Sequence, residues 1–196
     1  MKNFLIVALL LGGSCVFGQS LNSEERCSSS AILKAGERRD AASLALLKKL
    51  LTSGECPESN HELRLALAKR GDPKRLRDVI CSIYAAPEQV ADDIGYVGGW
   101  FGIRAALLLL EQEESYYASP RLSSDAMVAG SPRSWGLALL RTLVKKNRNV
   151  RAPSESTFAP EDAERVWRKW IAAHKPDLQR LSPTGSSVSF QPCNTE

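Results

Sequence analysis

The chain has 196 residues and a formal net charge of +4 at pH 7. A chain of this length is large enough for a single domain with one hydrophobic core. The mild excess of basic residues does not by itself indicate nucleic-acid binding, and we expect no nucleic-acid partner.

The first eighteen residues have the features of a secretory signal peptide. A short positive segment containing Lys2 precedes an unbroken apolar run from residue 4 to residue 11. The small residues Val16 and Gly18 then suit a signal peptidase and place the cut before Gln19. We therefore expect residues 1–18 to be removed on export, so that the loss of one lysine lowers the net charge from +4 to +3.

Two alternatives to a cleaved signal peptide are a buried N-terminal helix and a lipid anchor. A buried helix does not explain why a positive segment, an apolar run and a small-residue site occur in this order. Lipid anchoring at Cys15 is the less favoured alternative, because Gly12 stands where a lipobox normally has Leu. We predict a periplasmic or secreted protein without a transmembrane segment, since the apolar run is shorter than the roughly 20 residues that span a bilayer.

Four cysteines follow the predicted cleavage site. An even number of cysteines in an oxidising compartment favours two disulfides, and the sequence leaves their pairing open. The wide spacing, without a Cys-x-x-Cys motif, argues against a zinc site or a thioredoxin-like redox pair. Buried free thiols are the alternative. The cysteines are Cys27, Cys56, Cys81 and Cys193.

Residues 19–174 are predicted to form an all-α domain. Apolar residues recur every three or four positions along most of this stretch, which is the period of amphipathic helices. Glycines end several of the apolar runs, and prolines stand at the start of others. The helices expected, in chain order, span residues 23–36, 37–53, 62–70, a segment from 73, 87–93, 100–114, a segment from 132, and 160–174.

The apolar pattern also predicts which parts are buried. Residues 105–110 are apolar on every side, so the helix that contains them is expected to be the most buried. Residues 95–99, 118–132 and 150–160 are expected to be breaks or loops. Residues 175–196 are expected to be a polar tail tied down through Cys193, in which only residues 188–190 offer a short β edge.

The segment around the predicted turn at Gly71 resembles one HEAT repeat. Residues 65–73 read Leu-Ala-Leu-Ala-Lys-Arg-Gly-Asp-Pro, and the helix that follows has apolar residues at the spacing of that family. The resemblance covers one repeat near residues 62–85, with weaker echoes to residue 174. It implies a short α-solenoid of stacked antiparallel helix pairs that presents its surfaces to a protein partner. After Arg104 the Gly-Asp turn is missing, so an irregular helical bundle is the alternative.

Motifs for catalysis or for a metal are missing from the sequence. His61-Glu62 begins like a zinc-protease helix, but the second histidine that this motif needs is absent. No Gly-x-Ser-x-Gly, Ser-x-x-Lys or phosphate-binding Gly-Lys-Ser/Thr is present. We expect a non-enzymatic binding or scaffold protein without a metal or cofactor. The alternative is a secreted hydrolase that acts on a cell-envelope polymer through paired carboxylates such as Asp93 and Glu111.

Charged and aromatic residues are unevenly distributed along the chain. Basic residues cluster at residues 69–77 and again at residues 133–151, and the second of these stretches contains no acidic residue. Residues 87–119, in contrast, are rich in acidic and aromatic residues. This distribution is typical of a surface that binds a protein partner, with an anionic envelope polymer as a second option. The predicted binding residues are Trp100, Phe101, Tyr116, Arg141, Lys145, Lys146 and Arg148.

Overall fold

The computed structural model describes residues 23–112, 131–145, 151–154, 162–181, 188–191 and 193. These residues form an all-α fold without a β-strand, which confirms the predicted fold class. The predicted signal peptide lies outside the described residues. The helices are α1 (Ser23–Arg26), α2 (Ser29–Glu37), α3 (Ala41–Ser53), α4 (Asn60–Lys69), α5 (Pro73–Ala85), α6 (Pro87–Val97), α7 (Gly99–Glu111), α8 (Pro132–Lys145) and α9 (Ala163–Leu181), with a short 3₁₀ helix (Pro57–Ser59) before α4.

Side-chain caps set where three of these helices begin. Asp40 accepts a hydrogen bond from the backbone N of Ser43 at 2.7 Å, and Asp72 accepts one from the backbone N of Arg75 at 3.1 Å. Ser28 caps α2 in the same way. Each cap satisfies an N–H that the helix itself cannot pair, which is worth about 1 kcal/mol. The caps explain why the first predicted helix is divided into α1 and α2, and why α3 begins at residue 41 instead of 37.

The break predicted at residues 95–99 is shorter than expected. Helix α6 continues to Val97 and ends at Gly98, whose φ of +62° favours glycine. Lys69 of α4 donates from Nζ to the carbonyl oxygens of Tyr96 and Val97, at 2.6 and 3.0 Å. These bonds satisfy carbonyls at the end of the helix and thereby support its last turn.

The last helix is longer than predicted. Helix α9 does not end at His174 but runs through Pro176 to Leu181, so the assignment of residues 175–181 to a polar tail is wrong. The physical reason is Leu178, which is 1% exposed and continues the buried stripe of Trp167 and Ile171. This burial stabilises a turn in which proline removes one backbone hydrogen bond.

Three clusters of buried side chains follow one another along the fold. The first joins α2, α3 and α4, and the second joins α4, α5, α6 and α7. The third joins α7 to α8 and α9 around Trp167. Helices α4 and α7 each contribute to two clusters and therefore lie inside the fold. The burial of α7 confirms that the helix containing residues 105–110 is enclosed.

Two disulfides brace the helices. Cys27 pairs with Cys56 and Cys81 pairs with Cys193, with Cα–Cα separations of 5.3 and 5.4 Å. Both separations lie within the usual range of about 4.4–6.8 Å. The prediction of two disulfides is confirmed. The first bond joins the start of α2 to the 3₁₀ helix, and the second joins α5 to the C-terminal residues.

Gly36 provides a test of a close crossing between α2 and α4. A Cβ at Gly36 would lie 2.8 Å from both the Cα and the Cβ of Ala66. Because the Ala66 backbone would have to move, we expect Gly36→Ala to lower the free energy of unfolding by about 1–3 kcal/mol in urea denaturation. Gly95→Ala is the matched control, since a Cβ there meets only a Leu139 methyl at 3.4 Å. Equal losses in both variants would contradict the close crossing.

Candidate functional site

The C-terminal residues lie against helices α5 and α7. We call residues 188–191 and Cys193 the C-terminal strap. Val188 and Phe190 pack on the second core cluster, and Cys193 is bonded to Cys81 of α5. The strap has no regular secondary structure, so the β edge expected at residues 188–190 is not formed. Side chains of the two helices hold its backbone instead.

All four carbonyl oxygens of residues 188–191 accept hydrogen bonds from side chains of α5 or α7. Such bonds fix the path of an extended backbone whatever its side chains are. Bonds from a charged donor contribute about 1.5–3 kcal/mol each. The donors are Arg77 (to Ser189 at 3.1 Å and to Gln191 at 2.6 Å), Tyr84 (to Phe190 at 3.2 Å) and Arg104 (to Val188 at 3.4 Å).

Phe190 is the aromatic anchor of the strap. Its ring centroid lies 5.4 Å from that of Phe101, which is fully buried in α7. The guanidinium carbon of Arg104 lies 4.0 Å from the same centroid. Cation–π contacts of this kind contribute about 0.5–2 kcal/mol. Burial lowers the pKa of the Arg104 guanidinium from its usual value, but an arginine side chain remains charged.

Helical spacing explains why these residues meet. Arg77, Cys81 and Tyr84 are four and three residues apart on α5, so they share one face of that helix. Phe101 and Arg104 are three apart on α7. We call the surface that these two faces present to the strap the strap groove. The groove was not predicted from the sequence, although a cysteine flanked at helical spacing by an arginine and a tyrosine was a signal for it.

Two of the predicted binding residues lie in the core. Trp100 is 6% exposed and Phe101 is 0% exposed. The expectation that they form an exposed aromatic surface is therefore wrong, because α7 is enclosed by its neighbours. Trp100 packs in the third cluster, with α8 and α9. Phe101 contributes to the site only through the contact of its ring with that of Phe190.

Two of the predicted basic residues are exposed on the described surface, and the other two lie outside the described residues. Arg141 and Lys145 are exposed on α8, which packs against α7 but supplies none of the donors to the carbonyls of residues 188–191. Lys146, Arg148 and Tyr116 lie outside the described residues. The structure therefore does not bring the predicted binding residues together as one surface.

The basic cluster at residues 69–77 is used largely within the fold. Arg70 donates to the carbonyl of Asp40 at 3.2 Å, and Arg75 forms an ion pair with Asp78 at 2.8 Å. Lys69 caps α6, as described above, and Arg77 holds the strap. These contacts show that most of the cluster ties helices and strap together.

A second candidate site is a cleft of about 390 Å³ between the start of α4, the end of α5 and α6. His61 Nε2 lies 3.1 Å from Asp93 Oδ1, with side chains 66% and 15% exposed respectively. Burial raises the pKa of Asp93, and His61 opposes that rise. Ser82 also lines the cleft, but its hydroxyl donates to the carbonyl of Asp78 in its own helix. The arrangement therefore does not show a serine activated by the histidine.

The two acids considered for hydrolysis have separate side-chain partners. Asp93 of α6 pairs with His61 of α4, whereas Glu111 at the end of α7 pairs with Arg168 of α9. Each carboxylate is thus oriented by a different helix. Within the described residues, no group of three or more His, Cys, Asp or Glu side chains is arranged to hold a metal ion.

Comparison with known proteins gives no match. No protein-family model matches the chain, and no curated protein or solved structure matches it. In the part of the chain that the structure describes, no helix is both long enough and apolar enough to cross a membrane. The geometry of the strap groove and of the cleft is therefore the basis for a functional proposal.

The raised pKa of Asp93 in the cleft predicts that the stability of the fold depends on pH. Desolvation raises the pKa of Asp93 above its ordinary 3.8, so the folded chain binds this proton more tightly than the unfolded chain. Ionisation of Asp93 therefore lowers stability as the pH rises above that ordinary value. We expect Asp93→Asn to increase the free energy of unfolding more at pH 7 than at pH 3, as measured in urea.

Asp40→Asn is the control for this measurement. Hydrogen bonds from Ser43 lower the pKa of Asp40, so its replacement should give a loss of stability, and not a gain, that grows with pH. If Asp93→Asn changed the stability by the same amount at both pH values, a raised pKa for Asp93 in the folded chain would be contradicted.

Proposed function

We propose that this protein is an exported, non-enzymatic binding protein that holds an extended segment of a protein partner in the strap groove. The observation that carries the proposal is the set of four consecutive backbone carbonyls held by side-chain donors of α5 and α7. Side chains that donate to backbone carbonyls favour an extended segment of a partner. The position that the Phe190 ring occupies favours an aromatic side chain of that segment. The protein's own strap is the occupant of the groove in this structure.

Export and a repeat architecture are parts of the same proposal. The two disulfides support an oxidising compartment such as the periplasm or the cell exterior. The order of charge, apolar run and small residues before Gln19 supports a cleaved signal peptide. Short connections between packed helices, such as the one at residues 70–72 between α4 and α5, support a short HEAT-like solenoid.

The hydrolase alternative has less support. It requires two carboxylates that face one bond, roughly 5–10 Å apart. Asp93 and Glu111 instead pair with different side chains on different helices. An anionic envelope polymer is the remaining partner class from the sequence, and the exposed Arg141 and Lys145 of α8 are its predicted contacts.

A full-length variant with a loosened strap tests the binding proposal. Phe190→Ala combined with Cys193→Ser removes the aromatic anchor and the covalent tie, so we expect the groove to become accessible. A fluorescent peptide with the sequence of residues 187–195, with serine in place of the cysteine, should bind this variant more strongly than the wild-type chain. Fluorescence polarisation measures both affinities.

A third substitution tests whether the peptide occupies the groove. Adding Arg77→Ala should weaken peptide binding at least about tenfold, because two charge-assisted bonds to the peptide backbone are lost. Arg64→Ala is the matched control, since Arg64 is exposed on α4 and bonds Asn60. Equal affinities after the two arginine substitutions, or no binding to the loosened variant, would contradict the proposal.

Export has its own test. In a bacterial secretion host, the released protein should begin at Gln19, and reduction should add one hydrogen for each cysteine of the two disulfides. Intact-mass measurement before and after reduction checks both expectations. A released chain that retained Met1 would contradict the assigned cleavage.

A further inference from the structure

The strap restricts how a partner can reach the groove. The bound strap is fixed on one side by the chain that leads from α9, and on the other by the disulfide between Cys81 and Cys193. A partner segment and the strap require the same donors and the same aromatic place. If the groove binds a partner, as proposed above, the strap must leave it, and the disulfide must open or be exchanged for the strap to leave fully.

The position of Cys81 suggests what replaces the bond. Cys81 lies on the groove face of α5, one helical turn from Arg77 and one from Tyr84. In the strap, the cysteine follows the aromatic anchor Phe190 by three residues. A segment held by the same donors, with an aromatic residue in the place of Phe190, would bring its own residue at that spacing to the sulfur of Cys81.

We propose that the groove accepts a partner segment carrying a reduced cysteine three residues after an aromatic residue, and that this cysteine replaces Cys193 in the disulfide with Cys81. The inference rests on the proposed function, because the same contacts bind the segment. It adds a covalent step at a named sulfur and a sequence requirement on the partner.

The step is a thiol–disulfide exchange and is balanced without a further reagent. The partner thiol gives up its proton, and its thiolate attacks Sγ of Cys81. The bond between Cys81 and Cys193 breaks, and Cys193 leaves as a thiolate that takes up a proton. One disulfide is broken and one is formed, so no external oxidant or reductant is needed.

Position distinguishes this disulfide from the other one. Cys27, Cys81 and Cys193 are all half-buried, and only Cys56 is buried. The Cys27–Cys56 bond, however, joins the start of α2 to the 3₁₀ helix, whereas Cys81 lies on α5 beside the donors that hold the strap. A segment held by those donors is therefore expected to exchange at Cys81 and not at the Cys27–Cys56 bond.

The released strap competes with the peptide for the groove, and this competition determines the peptide concentration that the test requires. After release, the strap remains attached to α9 and competes with the partner at an effective concentration on the order of a millimolar. The test uses the oxidised wild-type chain with about 1 mM of the reduced peptide Ser-Val-Ser-Phe-Gln-Pro-Cys-Asn-Thr, which has the sequence of residues 187–195.

Intact mass after acid quenching should show the addition of one peptide per chain. Non-reducing peptide mapping should place the peptide on Cys81, and Cys193 should become reactive to an alkylating reagent. A peptide with alanine in place of phenylalanine should react about tenfold more slowly, because its aromatic contacts are lost while the protein is unchanged. A scrambled peptide that retains the cysteine is the second control.

Three results would overturn the inference. They are equal rates for the phenylalanine and alanine peptides, attachment at Cys27 or Cys56, and no attachment at all. The cysteine-free peptide and the loosened variant described above separate the two proposals. If that peptide binds but no exchange occurs, only the covalent step is wrong, whereas a peptide that fails to bind overturns the proposed function and this inference together.

Discussion

Residues 105–110 of helix α7 are apolar on every side, and the rest of the fold must enclose them. Leu108, Leu109 and Leu110 are each 7% exposed or less, while Arg104 and Glu111 make the polar contacts of the helix. Helices α5, α6, α8 and α9 pack around it, and Phe190 of the strap covers Phe101. Each square ångström of apolar surface left in water would cost about 25 cal/mol. The strap is therefore part of the enclosure of α7, and anything that displaces it must cover the same apolar surface.

Helix α5 connects the core to both candidate sites. Because the helix repeats every 3.6 residues, its side chains fall on distinct faces. Ile80 lies on the core face, Arg77 and Tyr84 lie on the groove face, and Ser82 and Ala85 line the cleft. The strap and the cleft are thus held by one rigid element, and a shift of α5 along its axis would alter both. Because α5 carries side chains of both sites, a substitution in α5 is expected to affect the strap groove and the cleft together.

The helical period made most of the fold predictable, because it is a local property of the sequence. Pro73 and Pro132 begin helices where the sequence indicates that they do. Contacts between distant residues were not predictable in this way: Arg77 and Gln191 are 114 positions apart, and no local pattern joins them. The error at Trp100 has a related cause. Aromatic residues are favoured both in cores and at interfaces, so residue type alone does not decide between them.

The two disulfides span very different lengths of chain. Cys27 and Cys56 are 29 positions apart, whereas Cys81 and Cys193 are 112 positions apart. A chain that emerges from its N-terminus can therefore close the first bond early, while Cys81 waits for 112 further residues. During that interval Cys81 cannot form its native disulfide, and the residues that cover the groove face of α5 have not yet been made.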